Sequence, residues 1–110
     1  MLYQDKVYFW TTPAGSIGTL NDIQSTVAGA VSDGKWHHIV CVNDYTNSTK
    51  QIYIDGNLDI TNNEGAVISN SDAAVQIGRR SSGFQYDGEM SNVLFWDKAL
   101  TATDLSLIHI

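Results

Sequence analysis

Two Asp-Gly turns bracket the most constraining part of this chain. Asp33-Gly34 leads into Lys35-Trp36-His37-His38-Ile39-Val40-Cys41-Val42, and Gln51-Ile52-Tyr53-Ile54 runs into Asp55-Gly56. Glycine reaches the positive φ of a tight turn without a Cβ penalty, and β-branched and aromatic residues suit a pleated, half-buried surface. An apolar run launched by one such turn and an alternating run closed by another point to antiparallel strands. In the first run Trp36, Val40 and Val42 share one face, and Ile39 and Cys41 share the other. Apolar residues on both faces predict a central strand covered on both sides. In the second, Ile52 and Ile54 are expected inward, with Gln51, Tyr53 and Asp55 outward. Gly56-Asn57 then reverses the chain into a strand over 58–60, a hairpin.

The remaining pattern is also that of strands and turns. Residues 2–10 form an aromatic-rich strand, Val7 and Phe9 facing one way and Tyr8 and Trp10 the other. Residues 11–17 hold the only proline and read as a loop. A weaker strand is expected over 23–31, interrupted by Gly29. Polar connections follow at 44–49 and 62–72. A strand over 73–78 places Ala73, Val75 and Ile77 on one face, and the last long strand is expected over 84–96. Thr101 with Asp104 three residues on reads as a helix N-cap of capping-box type. Short strands between turn signals predict an all-β sandwich. The expected core includes Phe9, Trp36, Ile39, Val40, Val42, Ile52, Ile54, Val75, Ile77, Val93, Phe95 and Leu100.

Composition narrows the partners. With 110 residues the chain has enough length for one domain of modest core. Its formal net charge of −6 disfavours nucleic acid, because an acidic surface repels phosphate backbones. Cys41 is the only cysteine, so no intrachain disulfide forms, and in an apolar strand it is expected to be a buried, inert thiol. No apolar run approaches membrane-spanning length, and no basic-then-apolar signal segment opens the chain.

Four pieces in order carry a family resemblance. They are the Trp-His-His strand with its following Asp55-Gly56 turn, Val75-Gln76-Ile77-Gly78, Phe84 with Asp87-Gly88-Glu89-Met90-Ser91-Asn92-Val93, and Phe95-Trp96-Asp97-Lys98-Ala99-Leu100-Thr101. Together they resemble the laminin-G-like branch of the concanavalin A-like lectin/glucanase superfamily, over about residues 33–104. The resemblance implies an antiparallel two-sheet jelly-roll sandwich, here truncated at the N-terminal side. It also implies a domain that binds sugars or proteins more often than it does chemistry. The domain is expected to occupy 1–104. Residues 105–110, Leu-Ser-Leu-Ile-His-Ile, match the translation of a transposon mosaic-end adaptor and are expected to be a tail of that origin.

Catalytic patterns find little support. His37 and His38 are adjacent in a strand, so they point to opposite faces and do not chelate one ion. No nucleophile-elbow pattern is present, and Gly15-Ser16-Ile17-Gly18 lacks the lysine of a phosphate cradle. The superfamily's glucanases, by resemblance, carry Glu-x-Asp-x-x-Glu on one strand, and retaining chemistry needs carboxyls about 5–5.5 Å apart. Only Asp87-Gly88-Glu89 approaches that spacing, and it lies at a glycine turn. Asn47-Ser48-Thr49 is a glycosylation sequon in a polar loop, and Arg79-Arg80 is a small basic spot at a turn.

A non-catalytic module recognising carbohydrate or glycoprotein is therefore expected. It would belong to a larger extracellular, cell-surface or virion-associated protein, with no membrane span. A structural or adhesion module, such as a tail-fibre domain, and a fragment of a glycoside hydrolase are the alternatives. In jelly rolls sites lie on the concave face or on loops at one rim. The loop residues offering ligand atoms are Tyr86 and Asn43 for a sugar, and Asp22, Asp44 and Asp87 for Ca²⁺, which takes six to eight oxygens.

Overall fold

The computed structural model describes residues 2–3, 5–13, 21–68, 76–78 and 85–108. Among these residues, six strands lie in two antiparallel three-stranded sheets. β1 (Leu2–Tyr3), β2 (Lys6–Thr11) and β3 (Asn21–Gln24) are ordered β1-β2-β3. β4 (Ile39–Asp44), β5 (Thr49–Ile54) and β6 (Asn57–Asn62) are ordered β4-β5-β6. Helix α1 (Ala102–Ile108) follows near the C-terminus. The fold is the antiparallel β-sandwich that the sequence predicts.

Turn chemistry sets the second sheet. Asp55 and Gly56 take φ of 52° and 82°, both positive as a two-residue type I′ hairpin requires, and Ile54 pairs with Asn57 across them. At the β4–β5 end the Asp44 carboxylate accepts from the Asn47 N–H at 3.1 Å and its Nδ2 at 2.8 Å, closing a loop in which Ser48 has φ of 54°. Asp59 is the extra residue of a bulge in β6 opposite Ile52/Tyr53. Its two carboxylate oxygens accept from the Thr26 N–H at 2.8 Å and hydroxyl at 3.0 Å, tying β6 to the end of β3.

Period-2 alternation gives the second sheet two different faces. Ile52, with Ile54 and Ile60, packs against Val7 and Ile23 of the first sheet, joined by Phe9 and Val31. The other face presents Val42 and Tyr53, with Val40, to Ala99, Leu100 and Leu105 of the C-terminal segment. So β5 is the central strand covered on both sides, a role expected of residues 36–43. Tyr53, expected outward, is buried because that segment lies over it.

Several expected core positions are exposed instead. β4 starts at Ile39, and Trp36 precedes it at 67% exposure. β3 lies over β5 and β6 and not over β4, so Ile39 and Cys41 share the inward face with Ile52 and Ile54 yet remain exposed. Cys41 is thus surface-accessible, contrary to expectation. Surrounding protein still desolvates its thiol, pushed up to about 11, which keeps it protonated at neutral pH. The weaker strand ends at Gln24 and does not run to residue 31. Residues 85–97 form none of the strands in either sheet, and Val93, Phe95 and Ile77 are exposed, Phe95 at 76%. Among the described residues this segment joins neither sheet, so its apolar side chains have no sheet face to bury against. Ala73, Val75, Phe84, Arg79-Arg80 and the loop from Gly15 to Gly18 lie outside the described residues.

Candidate functional site

A polar rim joins the two sheets at one end of the sandwich. Asn62 ends β6, and the segment 62–66 crosses from the start of β3 to the end of β4. Asn62 Nδ2 donates to the Asp22 carbonyl at 3.0 Å, and Asn21 Nδ2 donates to the Glu64 carbonyl at 3.1 Å. At the far side, Asn43 Nδ2 donates to the Ala66 carbonyl at 2.8 Å while the Ala66 N–H donates back to Asn43 Oδ1 at 3.3 Å. Gly65 sits so close that a Cβ there would lie 2.3 Å from the Thr49 backbone and 2.6 Å from the Asp44 carbonyl. Side-chain amides thus satisfy backbone groups that no ladder reaches.

Lys50 lies beneath this rim with its side chain fully buried. It shares the inward face with Ile52, and its Nζ donates to Thr11 Oγ1 at 2.6 Å and to the Asn21 carbonyl. The ammonium also stands 5.2 Å from the Phe9 ring centroid, within cation–π range. Desolvation holds its pKa below the ordinary lysine value, opposed by the fields of Glu64 and Asp22.

Of the five candidate site residues, the rim engages the side chain of Asn43 and the backbone carbonyl of Asp44 at its β4 end, and the backbone carbonyl of Asp22 at its β3 end. The Asp22 side chain lies on the outward face of β3, opposite Trp10. The Asn43 amide is engaged with Ala66, and hydrogen bonds from Asn47 hold the Asp44 carboxyl below the usual range. Asp22 is exposed. Tyr86 and Asp87 sit on the exposed 85–97 segment, where the Tyr86 hydroxyl reaches the Glu89 carbonyl at 3.5 Å. Among the described residues, no three His, Cys, Asp or Glu side chains gather as an ion site. No helix there is long and apolar enough to cross a membrane.

The opposite end carries a charged clamp. His37 Nε2 lies 2.7 Å from Asp33 Oδ1 and its Nδ1 lies 2.7 Å from Asp55 Oδ2. Asp55 Oδ1 accepts the His38 N–H at 2.9 Å, and the Lys35 N–H donates to Asp33 Oδ1 at 3.0 Å. Hydrogen bonds to Asp33 and then Asp55 raise the His37 pKa above its ordinary value, and the His37 bond lowers that of Asp33. The clamp ties the two Asp-Gly turns together.

On the outer side of the first sheet two half-buried rings stand side by side. Phe9 pairs with Ile23 inside the sandwich, so Tyr8 and Trp10 face outward from β2. Directly opposite on β3 stand Gln24, paired with Tyr8, and Asp22, paired with Trp10. The two rings are 6.3 Å apart between centroids and inclined at 70°.

Comparison with known proteins agrees with this architecture. A crystal structure of an S-layer domain-containing protein from Clostridium thermocellum, residues 221–444, superposes with a TM-score of 0.52 at 20% sequence identity. The match covers 96% of this chain and 52% of that one, so the chain spans about half the length of its structural neighbour. No curated protein matches the sequence. The laminin-G-like family described as "Concanavalin A-like lectin/glucanases superfamily" matches residues 2–106, nearly the whole chain, and this chain belongs to that family.

Proposed function

We propose that this domain is a non-catalytic recognition module for carbohydrate or glycoprotein, one part of a larger extracellular, cell-surface or virion-associated protein. The carrying observation is the polar rim, where segment 62–66 joins the Asp22 carbonyl at one end to Asn43 at the other on a frame pinned by Asn21, Asn62 and Gly65. A frame of that kind presents oxygen and amide groups at low ordering cost, as recognition of a hydroxyl-rich ligand requires. Family membership supports the reading, since the superfamily holds lectins as well as glucanases. The S-layer domain-containing neighbour is consistent with a place in a surface protein. Fold alone does not fix function, so the test is direct. The purified chain is applied to a broad glycan and glycoprotein array, and bound glycans are then assayed for new reducing ends. Saturable binding without new reducing ends is the expected result. Release of reducing ends would make the chain part of a hydrolase, and absence of any binding would leave a structural module.

A further inference from the structure

We propose that Asn47 is the acceptor of an N-linked glycan, and that the ring of Tyr45 packs on the first sugar. This concerns sugar carried by the domain and not sugar bound by it, and rests only on the domain's place in an extracellular or surface protein. The first ground is chemical. Asn47-Ser48-Thr49 is the single Asn-x-Ser/Thr triplet in the chain, and no proline stands at its middle position. The second is access. The triplet begins on the β4–β5 turn, where residues 45–48 are exposed. Among the described residues the Asn47 side chain bonds only to Asp44 of the same loop, so a bulky group on its amide meets solvent.

The third ground is the shape of the turn. The Ser48 N–H donates to the Tyr45 carbonyl at 3.4 Å, closing a β-turn over residues 45–48, and Ser48 takes a left-handed φ of 54°. A β-turn ending on a left-handed residue is a common hairpin connection, here with Tyr45 as its first residue and Asn47 as its third. Such a turn brings its ends within about 7 Å, so a sugar on Asn47 is in reach of the Tyr45 ring. That ring is 63% exposed and belongs to neither apolar cluster. A pyranose has a face of C–H bonds that packs on such a ring. In the transfer, Nδ2 of Asn47 bonds to C1 at the reducing end of a polyprenyl diphosphate-linked oligosaccharide. The C1–O bond to the diphosphate breaks, polyprenyl diphosphate leaves with that electron pair, and the amide gives up one proton. The nitrogen keeps one N–H to donate to Asp44 Oδ2, which it reaches at 2.8 Å in the unmodified turn.

The folded turn pairs Thr49 with Asp44 and sets the Thr49 backbone against Gly65, so the test follows the chain as it is synthesised. The full chain, with a secretion signal added, is made in a cell whose secretory pathway holds an oligosaccharyl transferase. Intact mass and peptide-N-glycosidase digestion report the glycan, and peptide mapping locates it. The expected result is a glycan on Asn47 in most of the secreted chain, absent in Asn47→Gln and Thr49→Ala and kept in Thr49→Ser. The glycosylated chain should melt at least about 2 °C above the same chain made without the transferase, and Tyr45→Ala should remove that difference. A secreted, folded chain with a bare Asn47 would overturn the site. An equal rise in melting temperature in Tyr45→Ala would overturn the role given to the ring and leave the acceptor in place. Absence of array binding by a chain that carries this glycan removes the recognition reading alone.

Discussion

His37 is held by two carboxylates through its two ring nitrogens. A neutral imidazole carries one N–H and so can donate to only one of them, leaving a lone pair against the other. The clamp is therefore complete only with the protonated ring. The charged groups facing it are Asp33 from its own turn and Asp55 from the β5–β6 hairpin, with Lys35 adjoining Asp33. A histidine raised above its ordinary value adds stability that is fully present below that value and lost as pH rises through the folded one. Asp33, lowered, adds stability present above its ordinary value and lost as pH falls through its folded one. The difference in melting temperature between the parent and His37→Gln should thus be largest from about pH 4 to about pH 6.5 and should shrink as pH rises beyond that range. A gap independent of pH would mean that His37 acts by packing alone.

At the scale of elements, α1 shows how local and distant signals differ. Thr101 Oγ1 accepts the Asp104 N–H at 3.2 Å and the Thr101 N–H donates to Asp104 Oδ2 at 3.0 Å, the reciprocal capping that the sequence predicts. That box was legible because both partners lie within one turn. The helix continues through Leu105, 2% exposed against Val42 and Tyr53, across the expected boundary at residue 104. Leu105→Ala should cost roughly 2–5 kcal/mol in urea unfolding, while the exposed Leu107→Ala should stay within about 0.5 kcal/mol. Equal effects would show that the helix does not pack as described. In β5 the alternation of Ile52 and Ile54 was legible, and carried back two residues it also places Lys50 inward. A buried ammonium is costly unless it is hydrogen-bonded, and Thr11 and Asn21 supply the acceptors from other strands. The strand expected over 84–96 rested on local preference alone, yet a strand needs a neighbour, and pairing is not encoded in local preference. For the site, Asp22, Asn43 and Asp44 were expected in loops, and the structure places Asp22 in β3 and Asn43 and Asp44 at the end of β4. The bridge between the two strand ends was not legible, because the segment 62–66 that makes it belongs to a different part of the chain.

For the molecule as a whole, apolar surface is unevenly covered. Trp36, Ile39, Leu94, Phe95 and Trp96 are exposed, and among the described residues β4 pairs only with β5. Exposed apolar side chains of this size invite association. The isolated chain should sediment with concentration-dependent mass, and Phe95→Ser should reduce that dependence with a change in stability within about 0.5 kcal/mol. A single mass at all concentrations would show that these side chains do not mediate contacts. Inside, the sandwich has the opposite problem. Oily surfaces grip without direction and allow one layer to slide on another, whereas hydrogen bonds have set lengths and angles. The ammonium of Lys50, reaching from β5 to Thr11 and Asn21, acts as a locating pin. It fixes the stagger of the two layers, and with it the separation of Asn21 from Glu64 and of Asp22 from Asn62, so that loops above can change their sequence without losing their alignment.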